Sequence, residues 1–192
     1  EGADAALVPM PHFFRYQQVD LEHFCREVSR NLPLPCLLYN LPVFTNPLEI
    51  ETTIRLLQEA PGIVGIKDSS GDSEALTQYP EACRDARDTT SLMVGKDVRS
   101  YDGLSSGWEG CVSGLGNLCP ELVVELYRSF KAGDVHRAQA CQVQIGRLFE
   151  RVFRLPVPWS IRIGLEARGL DCGPVALPLA PEREKQAADF RE

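Results

Sequence analysis

The stretch "GIVGIKDSSGD", Gly62 to Asp72, decides how this sequence is read. An otherwise apolar run ends on Lys67, in a chain that has few lysines. An ammonium prefers water, so a lysine closing an apolar run needs a reason.

On either side of that stretch, short apolar runs alternate with longer helical segments, the pattern of parallel strands joined by crossover helices. Strands are expected at Ala5 to Pro9, Pro35 to Asn40, Gly62 to Lys67, Ser91 to Gly95 and Gly110 to Gly114. They are continuously apolar rather than alternating, as expected when both faces are covered. In "NPLE", Asn46 is expected as an N-cap, Pro47 in the first turn and Glu49 three residues on, ahead of Ile50, Ile54 and Leu57 on one helical face. Pro120 opens another helix, which is expected to end at Gly133. The next, from Asp134 to about Arg154, carries Ala138, Cys141, Ile145, Leu148 and Val152 as an amphipathic stripe. A Pro-rich "CGPVALPLAP" and a charged helix from about Glu182 finish the chain. The expected fold is α/β: residues 1–154 as the strand-bearing part and 155–192 as a C-terminal helical extension.

With 192 residues the chain can bury one sizeable core. A net charge of -7, with scattered Arg and Lys, argues against a nucleic-acid partner. No apolar segment approaches the ~20 residues needed to cross a bilayer, so no membrane partner is expected. Seven cysteines, an odd number without C-x-x-C spacing, argue against a disulfide framework and a zinc site; reduced thiols in a cytoplasmic protein are expected. The chain opens without Met on a strand-like run, so further N-terminal sequence is expected to precede it.

In a closed β/α barrel, active sites sit at the C-terminal ends of the strands. Lys67 at such an end, with Ile63, Val64 and Ile66 as apolar neighbours, would be partly desolvated, which favours a nucleophilic neutral amine. That amine forms a Schiff base with a ketone and creates an electron sink for making or breaking carbon-carbon bonds. The plainer alternative is a lysine whose head reaches solvent beyond the strand. Tyr39 ends the preceding strand in "CLLYNLP" and is a candidate proton relay, or a core aromatic with a satisfied hydroxyl. In "VGKD", Gly95 permits close approach of backbone to a ligand. The glycines of "GCVSGLGN" expose backbone groups near a helix start.

These segments resemble the dihydrodipicolinate synthase and N-acetylneuraminate lyase group of class I, pyruvate-handling aldolases. "GADAALV" with "MP", "LYNLP" followed by "TNP", "GIVGIKDSSGD", "GKD" and "GCVSGLGN" fall in that family's order and close to its spacing. The resemblance implies a (β/α)8 barrel, entered here at its fourth strand, with a helical tail. It makes Lys67 the Schiff-base lysine and Tyr39 the relay tyrosine near the keto-acid carboxylate. Gly95 and Val112 match positions beside the bound keto acid, Val112 through its backbone carbonyl. It implies no metal or organic cofactor, pyruvate and an aldehyde as small-molecule partners, and a homo-oligomer, dimer or tetramer. The apolar stripe is read as core packing, and symmetric association would bury any helix face left exposed, at an interface the sequence does not identify.

Two departures bear on the second substrate. Phe44 stands where dihydrodipicolinate synthases carry an arginine that grips a carboxylate bidentately. "MPHFF" replaces the family's paired tyrosines, so His12 is the candidate substitute relay. The resemblance therefore leans away from aspartate semialdehyde and toward 2-keto-3-deoxy sugar acid aldolases, whose second substrates are hydroxylated or otherwise uncharged aldehydes. Phe44 would equally wall a pocket for an aromatic aldehyde. The alternatives are a true synthase, an imine-dependent dehydratase and a non-catalytic barrel relative.

Overall fold

The computed structural model describes residues 2–86, 89–174 and 177–191; Val175 and Ala176 of the Pro-rich run lie outside them. By its contacts the chain divides into two compact units, Glu1–Val112 and Ser113–Glu192.

In the first unit five strands alternate with helices: β1 (Ala6–Pro9), α1 (Gln18–Asn31), β2 (Cys36–Asn40), α2 (Ile50–Glu59), β3 (Ile63–Asp68), α3 (Ser73–Ala82), β4 (Ser91–Val94), α4 (Ser100–Ser106) and β5 (Gly110–Cys111). All neighbouring strands pair in parallel, in the order β1-β2-β3-β4-β5. An order that never reverses is the winding of a β/α barrel. Each right-handed crossover then puts its helix on the same side of the sheet.

That winding corrects one expectation. The strands are not buried on both faces: β2 and β4 alternate buried and half-buried residues, and β1 half-buried and exposed ones. The helix-facing side holds Leu38, Ile66, Leu92 and Val94 in a core completed by Leu21 of α1, Leu56 of α2 and Tyr79 of α3. Trp108 closes that core, its indole N–H donating to Leu76 O at 2.9 Å. The other side is more open, and chemistry-bearing residues occupy it. The last strand is also shorter than expected and stops at Cys111, although Val112 N still donates to Val94 O.

The expected cap at Asn46 is a second correction. Helix α2 begins at Ile50 with Glu49 as N-cap. Asn46 is buried and spends its amide elsewhere: Nδ2 donates to Pro11 O at 2.7 Å and Phe14 O at 2.8 Å, while Oδ1 accepts from Tyr16 N at 3.0 Å. A side chain with two donors and one carbonyl has joined two loops instead of starting a helix.

The second unit is helical: α5 (Pro120–Lys131), α6 (Val135–Val152), α7 (Val157–Ala167) and α8 (Pro181–Arg191). Ala132 caps α5 and Gly133 follows it with φ 78°, while Asp134 caps α6 by accepting from Arg137 N. The stripe of α6 is already covered. Ala138, Cys141, Ile145 and Val152 are buried, and α6 packs along α5 and against α7. That is the core packing expected of the stripe.

All seven cysteines are unpaired. Burial pushes the Cys25 thiol up to about 12, and its Sγ lies 3.5 Å from Met10 Sδ. No helix among the described residues is long and apolar enough to cross a membrane.

Candidate active site

Residues in register on adjacent parallel strands project to the same side of a sheet. One such row runs across all five strands: Pro9, Tyr39, Lys67, Met93 and Gly110. It lies on the open side, and Tyr39, Lys67 and Met93 are half-buried. The two residues singled out by sequence are thus neighbours across one strand pair, 28 positions apart in the chain. Lys67 Nζ sits 4.0 Å from the centroid of the Tyr39 ring, where the π face attracts an ammonium. Ile63 and Ile66 do not wall this lysine, because they are buried on the helix side. The Tyr39 ring is its wall, supplied by the adjacent strand.

One residue further along, Asn40 and Asp68 pair in register and point the other way. Both are buried, and Asn40 Nδ2 donates to Asp68 Oδ2 at 2.8 Å. Asn40 Oδ1 accepts from Leu48 N at 3.1 Å, and Asp68 Oδ1 accepts from Ser70 N at 2.8 Å and from the Ser70 hydroxyl. A buried carboxylate with three donors is a satisfied one, and this pair ties the strand end to the turns after β2 and β3. Sequence reasoning missed it. The signal was present as "YN" and "KD", two polar residues at matching strand ends.

Gly95 belongs to the same assembly. Its N–H donates to Asp68 O at 2.7 Å. A Cβ built there would lie 2.0 Å from Ser69 Oγ and 3.0 Å from Lys67 Cε. The absent side chain is the space through which Lys67 passes. Val112 follows β5 directly and is 41% exposed. His12 and Phe44 lie on exposed loops after β1 and β2. Phe44 is 74% exposed and lines a small cleft with Phe13, Phe14 and Arg15. Phe13, next to His12, holds a left-handed φ of 76°. Among the described residues no group of three His, Cys, Asp or Glu side chains is arranged to hold a metal ion.

The open row, with an amine and a phenol side by side at strand ends, suits imine chemistry. From residue 1 to residue 192 the sequence matches the dihydrodipicolinate synthetase family. The chain belongs to this family. It is a family of pyruvate-dependent, class I aldolases. Among the relatives of this family member is a 4-hydroxy-tetrahydrodipicolinate synthase from Hyphomonas neptunium, 37% identical over 97% of this chain and 64% of that protein. A chloride-inhibited dihydrodipicolinate synthase from Acinetobacter baumannii, solved with pyruvate, is 27% identical with a TM-score of 0.84, over 98% of this chain and 65% of that one. A monomeric dihydrodipicolinate synthase variant gives a TM-score of 0.89 at 25% identity, over 99% and 64%. The chain therefore spans just under two thirds of the length of these relatives, and its five parallel strands are part of a family β/α barrel.

Proposed function

We propose that the protein is a Schiff-base-forming lyase that acts on pyruvate or a 2-keto acid and makes or breaks a carbon-carbon bond to an aldehyde. The observation that carries this is Lys67 Nζ 4.0 Å from the centroid of the Tyr39 ring, in one row at the strand ends. In the cleavage direction the neutral Lys67 amine adds to the C2 ketone, and the Tyr39 phenol gives its proton to the departing hydroxyl, so that water leaves and an iminium ion and a phenolate remain. The Tyr39 phenolate accepts the proton of the C4 hydroxyl, the C3–C4 bond breaks, and its electron pair flows into the iminium to give an enamine as the aldehyde departs; Tyr39 then holds the proton that C3 receives. Protonation at C3 and hydrolysis of the imine then release pyruvate and return Lys67. Gly95 leaves room for Lys67, and the carbonyl of Val112 is assigned to the keto-acid end. No metal or organic cofactor takes part in these steps. The aldehyde is assigned to the class released by 2-keto-3-deoxy sugar acids, because Phe44 offers no charge to a carboxylate.

The test is borohydride reduction of the full-length protein with pyruvate present, followed by peptide mass spectrometry. One pyruvate unit is expected on Lys67 and none in Lys67→Ala. An unmodified wild-type protein would leave a non-catalytic barrel. The name of the Hyphomonas relative favours a second reading, a 4-hydroxy-tetrahydrodipicolinate synthase. Efficient condensation of pyruvate with aspartate semialdehyde, insensitive to substitution of Phe44, would establish it in place of the sugar-acid assignment.

A further inference from the structure

Tyr39 and Lys67 do not hold each other in place. Their contact is an amine over a ring face, and among the described residues no hydrogen bond fixes either the phenol or the Nζ. Such a contact tolerates sliding, yet a proton relay works only within hydrogen-bond reach, about 3 Å between heavy atoms. Backbone register therefore sets the relation between the two side chains. That register is not uniform along β2 and β3. Cys36 pairs with Ile63 but Leu37 with Gly65, so the ladder steps over Val64 near its start. A further shift of one residue would send every side chain of a strand to the opposite face and part Lys67 from Tyr39.

The other end of the ladder is pinned. Asn40 and Asp68 are its last register pair, one residue beyond Tyr39 and Lys67, and they are only 3% and 5% exposed. The bond from Asn40 Nδ2 to Asp68 Oδ2, at 2.8 Å, joins a buried donor to a buried carboxylate, and a slipped register would leave both unpaired. Each partner also grips a following turn: Asn40 Oδ1 accepts from Leu48 N at 3.1 Å, and Asp68 Oδ1 from Ser70 N at 2.8 Å. The main chain is tied at the same point, with Ser69 N donating to Asn40 O at 2.9 Å and Gly95 N to Asp68 O at 2.7 Å. Both side chains point away from Lys67, and they act on it through the backbone they adjoin.

We propose that Asn40 and Asp68 are positioning residues: they fix the β2–β3 register at the strand ends and so hold the Tyr39 phenol within reach of an imine on Lys67. This rests on the Schiff-base reading. Exchange of the pyruvate methyl protons in D2O needs both groups at once. Lys67 forms the imine, the Tyr39 phenolate removes a C3 proton to give the enamine, and a deuteron returns from the phenol after it has exchanged with solvent. Proton NMR follows this on the full-length protein with pyruvate alone, and borohydride trapping after long incubation measures the imine itself.

Asp68→Asn leaves one carbonyl to serve Asn40 and Ser70 together, and Asn40→Asp sets two carboxylates face to face. Each is expected to lower the maximal exchange rate by about tenfold to a hundredfold, the cost of a displacement of an ångström or so, with half-saturating pyruvate and the extent of trapping within about threefold of wild type. The swapped pair, Asn40→Asp with Asp68→Asn, keeps every bond. The carboxylate at position 40 accepts from Leu48 N and from the amide at position 68, whose carbonyl accepts from Ser70. It is expected to recover exchange to within about threefold of wild type, the coupling of a contacting pair. Single variants that exchange at the wild-type rate overturn the proposal even if they melt earlier, because the pair is then structural alone. A swapped pair that fails to fold, or stays as slow as the single variants, overturns it too; where a single variant does not fold, the swapped pair decides. A wild type that traps pyruvate but exchanges no methyl proton leaves Asn40 and Asp68 no relay to position and sinks this proposal alone. No trapped pyruvate sinks the lyase reading and the proposal with it.

Discussion

At the residue scale, the site depends on what Gly95 lacks as much as on what Lys67 carries. A methyl group at position 95 would occupy space held by Ser69 Oγ and Lys67 Cε and press on Asp68 O, which is backbone and cannot turn away. Gly95→Ala is therefore expected to lower the yield of borohydride-trapped pyruvate on Lys67 by at least about tenfold, and stability by roughly 1–3 kcal/mol, the usual cost of overpacking. Mass spectrometry and urea unfolding read the two effects; an undiminished adduct would show that Lys67 does not need this gap. Lys67 and Tyr39 were legible as candidates because a lysine and a tyrosine at strand ends are out of place in an apolar pattern. Asn40 and Asp68 were not, because a polar residue at a strand end is unremarkable until its partner across the register is known.

At the element scale, the helices are positioned by the core side of the sheet and tied to one another at the surface. Glu22 on α1 takes Arg26 of its own helix at 2.8 Å and Arg55 of α2 at 2.8 Å, and Arg26 reaches Glu59 at the end of α2 at 3.1 Å. Hydrogen bonds from Arg26 and then Arg55 hold the Glu22 carboxyl below its ordinary value near 4.5. A depressed carboxyl contributes stability that is present above the unfolded value and lost as pH falls through the folded one. Glu22→Gln is thus expected to cost about 0.5–1 kcal/mol at pH 7, since the cluster is partly solvated. The difference from wild type should narrow as pH falls below the ordinary carboxyl value near 4.5 and through the lower folded one. Chemical denaturation at pH 7 and pH 3 measures it, and a gap that persists at pH 3 would mean packing rather than charge.

At the scale of the whole molecule, the apolar surface left outside the two units' cores is uneven. Phe13 is 88% exposed, and Phe14, Val43 and Phe44 are exposed around the same small cleft. Large exposed aromatics gathered in one place mark an association surface more often than a solvated one. With the α6 stripe buried, this cluster is the better ground for the expected homo-oligomer. Light scattering of the full-length protein is expected to report a dimer or larger, and Phe13→Ser with Phe44→Ser to shift it toward monomer; a wild-type monomer at micromolar concentration would remove the expectation. The monomeric synthase variant among the structural relatives shows that the fold tolerates that outcome.

Much of this protein was written in the one-dimensional order of its residues. Apolar runs separated by amphipathic stretches determine parallel strands with crossover helices, because only that arrangement buries both patterns at once. The order of "YN", "KDSSG" and "GKD" along the chain was enough to nominate Lys67, Tyr39 and Gly95. Register was not in the sequence. It comes from the pairing of β2 with β3 and β3 with β4, which places Tyr39 beside Lys67, turns Ile63 and Ile66 away, and joins Asn40 to Asp68. The redirection of Asn46 from a helix cap to a loop tie, and the placing of Lys96 against Gly71, are likewise contacts between segments distant in the chain. Local patterns set what each segment can form, whereas partners across the fold decide which face, which donor and which neighbour each side chain receives.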